Sequence, residues 1–171
     1  MPESQARQNY HVNSEAGVNK QINVLLNCSY VYHSMAWYFD RDDVALKGFF
    51  EFLKDASCKK REFAEKMMKY QNQRGGRIVL QDIKKPPQDE WGTGLDVMQS
   101  ALALEKSVNQ EFLDLHKVAD SNTDPQMMDF LEDEFLGEEV EMIKKLSDHV
   151  TNLKRVGPGL GEYQFDHETL S

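Results

Sequence analysis

Three charged side chains fall where apolar ones are expected. Lys60, Glu105 and Glu139 each sit in the middle of a run of mostly apolar residues spaced three and four apart. An unpaired charge inside a helical bundle is costly, so each must meet a counter-charge or a cation. Tyr32 falls at similar depth in a fourth run. Helical bundles build two-iron carboxylate sites in such a layer, with one Glu from each of two helices and a Glu-x-x-His from each of the others. This chain meets that pattern only in part. Glu105 is in place, but Glu139 is followed three residues later by Met142 instead of His. The second Glu-x-x-His reads Lys60-Arg61-Glu62-Phe63, and Leu25 stands where a carboxylate would face the site. Two carboxylates, one ammonium and two apolar groups make a poor cage for a divalent cation. The arrangement expected is a Lys60–Glu105 ion pair with Leu25 and Phe63 filling space. Glu139 would then turn to Tyr32, a water or a cation. A residual metal site on Glu105 and Glu139 is the other reading.

The elements that must position these residues are long helices. Polar or glycine-proline breaks fall at Asp40-Arg41-Asp42-Asp43, Gly75-Gly76, Trp91-Gly92-Thr93-Gly94, Asn122-Thr123-Asp124-Pro125 and Gly157-Pro158-Gly159. The stretches between them are about 28 to 30 residues, or about 43 Å each as helix. Their apolar runs are Val18 to Ala36, Phe49 to Tyr70, Met98 to Ala119 and Met128 to Leu153. The pattern predicts an all-α, single-domain chain over 1–171, with helices at about 12–40, 47–75, 94–122, 126–156 and 160–170. The linker with Pro86-Pro87 is long enough to cross the bundle end to end between the second and third helices. A second stripe on the first helix, Val24, Cys28, Val31 and Met35, predicts burial on two sides, by a subunit interface or by a thicker core.

Composition narrows the partners. The 171 residues carry 29 Asp+Glu against 20 Lys+Arg, a formal net charge of −9. That balance disfavours nucleic acid and suits cations. No apolar run approaches the roughly 18 residues of a spanning helix, so no membrane partner is expected. The two cysteines, Cys28 and Cys58, are too few for a disulfide framework. With no visible signal peptide, they predict a cytoplasmic location.

Longer strings carry a resemblance. They include Arg7-Gln8-Asn9-Tyr10-His11, Tyr38-Phe39-Asp40-Arg41-Asp42-Asp43-Val44-Ala45-Leu46 and Gln71-Asn72-Gln73-Arg74-Gly75-Gly76-Arg77. Leu80-Gln81-Asp82-Ile83-Lys84-Lys85-Pro86, Leu104-Glu105-Lys106-Ser107-Val108-Asn109-Gln110 and Asp148-His149-Val150-Thr151-Asn152-Leu153 follow in order. In these strings, and over nearly its full length, the chain resembles a eukaryotic ferritin subunit. The resemblance implies a ferritin-like four-helix bundle with a long crossover and a short fifth helix. It also implies a homo- or hetero-24-mer cage with other ferritin subunits, around a ferric mineral.

Carried over residue by residue, the family's ferroxidase ligands are largely replaced. Its first-helix Glu falls at Leu25, its bridging Glu at Lys60, its His at Phe63 and an accessory Glu at Lys59. Tyr32, Glu105 and Glu139 remain, so no intact catalytic set is expected. The resemblance is to a light-chain-type, non-catalytic subunit, with an active ferroxidase of altered site as the alternative. On the face Glu51, Asp55, Cys58, Glu62 and Glu65, the four carboxylates correspond to the family's mineral-nucleating ones, diluted here by Lys54, Lys59 and Cys58. Asp129 and Glu132, one helical turn apart, correspond to the threefold-pore pair that admits Fe(II), with His116 near them. On the fifth helix the pore-lining positions fall at Gln164 and Glu168.

Overall fold

The computed structural model describes residues 4–171. Four long rods and one short helix account for its regular structure, and there is no strand among the described residues. Helix α1 spans Val12–Phe39, α2 Lys47–Gln73 and α3 Gly94–Ser121. The fourth rod has three parts: α4 over Pro125–Leu131, a π-helical turn over Glu132–Leu136, and α5 over Gly137–Val156. Helix α6 spans Leu160–Glu168.

Local chemistry sets most of these ends. Thr93 and Asp96 form a reciprocal capping box at the start of α3. The Asp124 side chain accepts from Met127 N–H at 3.1 Å, with Pro125 opening the first turn of α4. The π turn breaks what the sequence pattern reads as one helix. The buried steps Leu131 to Phe135 to Glu139 are four residues each. Two such steps overrun an ideal 3.6-residue period by about 0.8 residue. A single wide turn absorbs the excess, so Leu131 and Glu139 both face inward while Glu132 stays exposed.

The rods run antiparallel to their neighbours. Ser29 on α1 meets Ser57 on α2 near the middle, and Gln71 Nε2 donates to the Glu15 carbonyl near the far end. Lys60 and Lys66 on α2 meet Glu139 and Glu134 on the fourth rod, again in reverse order. The linker 74–93 crosses the bundle alongside α1. Asn19 Nδ2 donates to the Arg77 carbonyl, Asn23 Nδ2 to that of Asp82, and Trp91 Nε1 to Ser34 Oγ. Its contacts thus climb from the first turns of α1 to its last.

The second stripe of α1 is core. Cys28, Val31 and Met35 are buried within the chain and Val24 is half-buried. The chain itself covers them, with α2 and α3 both packed on α1. Around the middle of the bundle, Phe63, Phe112, Phe130 and Phe135 pack with ring centroids 4.8 to 5.3 Å apart. They wall off one side of the polar layer.

Candidate metal centre

The three core charges come together. Lys60 Nζ lies 2.7 Å from Glu105 Oε2 and also contacts Glu139 Oε1, so the ammonium bridges both carboxyls. This differs from a simple Lys60–Glu105 pair that leaves Glu139 to other partners. Tyr32 donates its hydroxyl to Glu105 Oε1 at 2.6 Å, and so serves Glu105 instead of Glu139. Tyr32, Glu105 and Glu139 are fully buried and Lys60 is 3 % exposed. Each reaches this point from a different rod: α1, α3, α5 and α2. The Phe63 ring stands 5.0 Å from Lys60 Nζ, close enough for a cation–π contact, and Leu25 is buried.

One ammonium cannot neutralise two carboxylates, and a buried net charge is expensive. The titration of the group resolves this. Burial works against the Lys60 ammonium, but Glu105 and Glu139 outweigh it and hold its pKa above the ordinary value. Burial also opposes ionisation of Glu105, yet its hydrogen bond to Glu139 and the charge of Lys60 keep its pKa low. Burial, then the hydrogen bond to Glu105, push Glu139 up to about 8. At neutral pH the site is therefore Lys60 ammonium, Glu105 carboxylate and protonated Glu139, with no net charge. Cys28 lies beside this group, and burial raises its thiol pKa, so it is not an available thiolate.

The proton on Glu139 couples stability to pH. A native Glu139 that titrates near 8 binds its proton more tightly than the unfolded chain does at its ordinary 4.5. The stabilisation is fully present below 4.5 and is lost as pH rises to about 8. Glu139→Gln keeps an acceptor for Lys60 and a donor for Glu105 but cannot ionise. The variant is expected to lose less stability than wild type between pH 6 and pH 9, by guanidinium unfolding. A stability difference that stays constant over this range would contradict the protonated Glu139.

The space left for a ligand is small. A cavity of about 20 Å³ is lined by Lys60, Glu105, Phe63, Ala56 and Met142, with Lys59 and Glu138 at its rim. That is room for one water. Lys59 Nζ and Glu138 Oε2 stand 3.5 Å apart across the rim. Glu138 was not legible as part of the site, because its partner is fixed only when α5 lies beside α2. Among the described residues, no three His, Cys, Asp or Glu side chains converge as a metal-holding group.

The remaining candidates are surface residues. Glu51, Asp55, Cys58, Glu62 and Glu65 are all exposed along α2. Two of the carboxylates are held by cations of their own helix: Glu51 by Lys47 at 3.8 Å and Glu65 by Arg61 at 3.5 Å. Asp129 and Glu132 are exposed at the junction of α4 and the π turn. His116 Nε2 reaches from α3 to within 2.8 Å of Glu132 Oε1, so His116 joins Glu132 in one polar cluster. Gln164 and Glu168 are exposed on α6, away from the buried layer.

The sequence is similar to those of known proteins along its whole length. Residues 15–156 match the family described as Ferritin-like domain. The chain is 71% identical over 171 residues to soma ferritin of Lymnaea stagnalis, covering 100% of this chain and 98% of that protein. It is 60% identical over 171 residues to the oocyte isoform of ferritin light chain from Xenopus laevis, covering 98% of this chain and 97% of that protein.

Proposed function

Because the chain belongs to the ferritin family as a eukaryotic ferritin subunit, we propose that it is an iron-storage subunit that holds ferric mineral without oxidising Fe(II) at its own bundle centre. The observation that carries this reading is the Lys60 ammonium seated between Glu105 and Glu139. An ammonium at the bridging position repels a divalent cation and already satisfies the carboxyls that would bind it. Leu25 and Phe63 offer no donor atoms, so two irons could not both complete their shells.

Iron is cargo in this reading. Asp129, Glu132 and His116 would line the passage through which Fe(II) is admitted, where converging carboxylates raise the local cation concentration. Asp55 and Glu62, with Glu51 and Glu65 when released from their lysine and arginine partners, would hold Fe(III) at the inner surface. Hard oxygen donors suit that ion. The assembly would be a cytoplasmic 24-mer with like or other ferritin subunits, the latter supplying oxidation. Gln164 and Glu168 on α6 would make its fourfold passage more polar.

The deciding experiment is stopped-flow oxidation. Fe(II) is loaded anaerobically on the homopolymer and oxygen is then added. The expected trace has no fast phase and rises only with autoxidation and mineral growth. A saturable fast phase at about two irons per subunit, the stoichiometry of a di-iron site, would show instead an active centre built on Tyr32, Glu105 and Glu139.

A further inference from the structure

His149 is a buried titratable group outside the candidate site. It lies on α5 with 8 % of its surface exposed, and its Nε2 has no hydrogen-bond partner. Its ring is wedged between two phenylalanines. Phe52 of α2 meets it edge-on at 5.3 Å between centroids, and Phe165 of α6 at 5.4 Å. Phe165 is the main apolar anchor of α6, buried to 4 % and packed also on Phe49.

Two carboxylates complete the docking of α6. Asp166 Oδ1 accepts from Phe49 N–H at 2.8 Å, and so caps α2, whose own Leu46 supplies no side-chain cap. Glu162 Oε2 accepts from Gly94 N–H at 2.8 Å at the start of α3. Gly48 lets this happen, because a Cβ there would lie 2.3 Å from the Asp166 carbonyl. The junction of α2, α5 and α6 thus rests on an uncharged imidazole between two rings.

We propose that His149 is an acid-sensitive latch on α6: neutral, it holds Phe165 in place, and protonated, it loosens the helix from the bundle. An imidazolium in this position would have an N–H at Nε2 with nothing to receive it. The charged groups around the ring do not rescue it. On α5, Lys145 stands with its ammonium 5.7 Å from the Phe52 ring and repels a second cation. Asp148, also on α5, favours the cation but is already paired with Lys144 at 2.5 Å. On α6, Asp166 is engaged by Phe49 N–H and lies 3.5 Å from His167. The side chain that α2 presents to the ring is Phe52, which carries no charge, and Glu51 beside it pairs with Lys47.

Burial first, and Lys145 second, lower the pKa of His149 below its ordinary 6.5. The docked state thus binds the proton less well than the released state. Docking is fully stable above about 6.5 and weakens as pH falls from there towards the docked value. Each pH unit between the docked and released values changes the docking equilibrium about tenfold.

Hydrogen–deuterium exchange of the intact protein tests this, with rates corrected for intrinsic pH dependence. Protection of the peptide over 160–168 is expected to fall between pH 7.5 and pH 5, by at most about tenfold for each pH unit below 6.5, while peptides from α1 and α3 stay unchanged. His149→Phe, or His149→Gln if the phenylalanine variant does not fold, should keep α6 protection level over this range. Unchanged α6 protection in wild type would overturn the latch. So would a parallel acid loss in the neutral variants, which would assign the effect to Asp166 and Glu162.

Discussion

The combined substitution Leu25→Glu, Lys60→Glu and Phe63→His should give the subunit a fast Fe(II)-oxidising phase. Each change restores a donor on the rod that already reaches the buried layer. The carboxylate introduced at position 25 would enter from α1 beside Tyr32. The one introduced at position 60 would bridge where the ammonium now sits between Glu105 and Glu139. The imidazole introduced at position 63 would replace the ring that stands 5.0 Å from that ammonium. The gain should be on the order of 10–100-fold in initial oxidation rate, the range by which metal sites respond to changes even in their outer shell. Removing Lys60 also removes the charge that repels the metal, so Lys60→Glu alone should give part of the effect and Phe63→His alone none. Stopped-flow absorbance after oxygen addition measures each. A triple variant that folds yet shows no fast phase would place the block elsewhere, in the packing around Ala56 and Met142.

Lys60→Met should destabilise the subunit by about 3–5 kcal/mol, the cost of breaking a buried pair and leaving its partner charge uncompensated. The Glu105 carboxylate would keep the Tyr32 hydroxyl and the protonated Glu139 but lose its counter-charge, and Glu139 would lose its donor. Protonation of Glu105, which burial favours once the ammonium is gone, would relieve part of the strain. Adding Glu105→Gln should recover most of the loss, because the amide carries no charge and still accepts from Tyr32. Guanidinium unfolding of the single and double variants distinguishes these outcomes. An unchanged midpoint for Lys60→Met would mean that water already compensates the buried carboxyls.

Much of the architecture was legible from residue spacing. Runs stepped by three and four residues, punctuated by Gly and Pro, marked the four long rods and the crossover linker. The π turn was not, since its sequence Glu132-Asp133-Glu134-Phe135-Leu136 is compatible with an ordinary helix. It arises because the inward positions on either side of it, Leu131 and Glu139, must both reach one core. The second stripe of α1 was ambiguous for a related reason. An apolar face shows that something covers it, while the identity of the cover depends on how α2 and α3 dock.

The sequence alone determined which side chains turn inward near the middle of each rod, because helical periodicity fixes the face and position along the rod fixes the height. It also determined that Lys60 stands among carboxylates, and that Leu25 and Phe63 have no donor atoms. Only the tertiary structure decided the pairing: Lys60 bridges both carboxyls, Tyr32 serves Glu105, and Lys59 with Glu138 flank the small cavity. The physical reason is that hydrogen bonds and ion pairs depend on ångström-scale distances between different rods. Those distances follow from how the rods pack around the phenylalanine cluster, and spacing along any one of them does not contain that information.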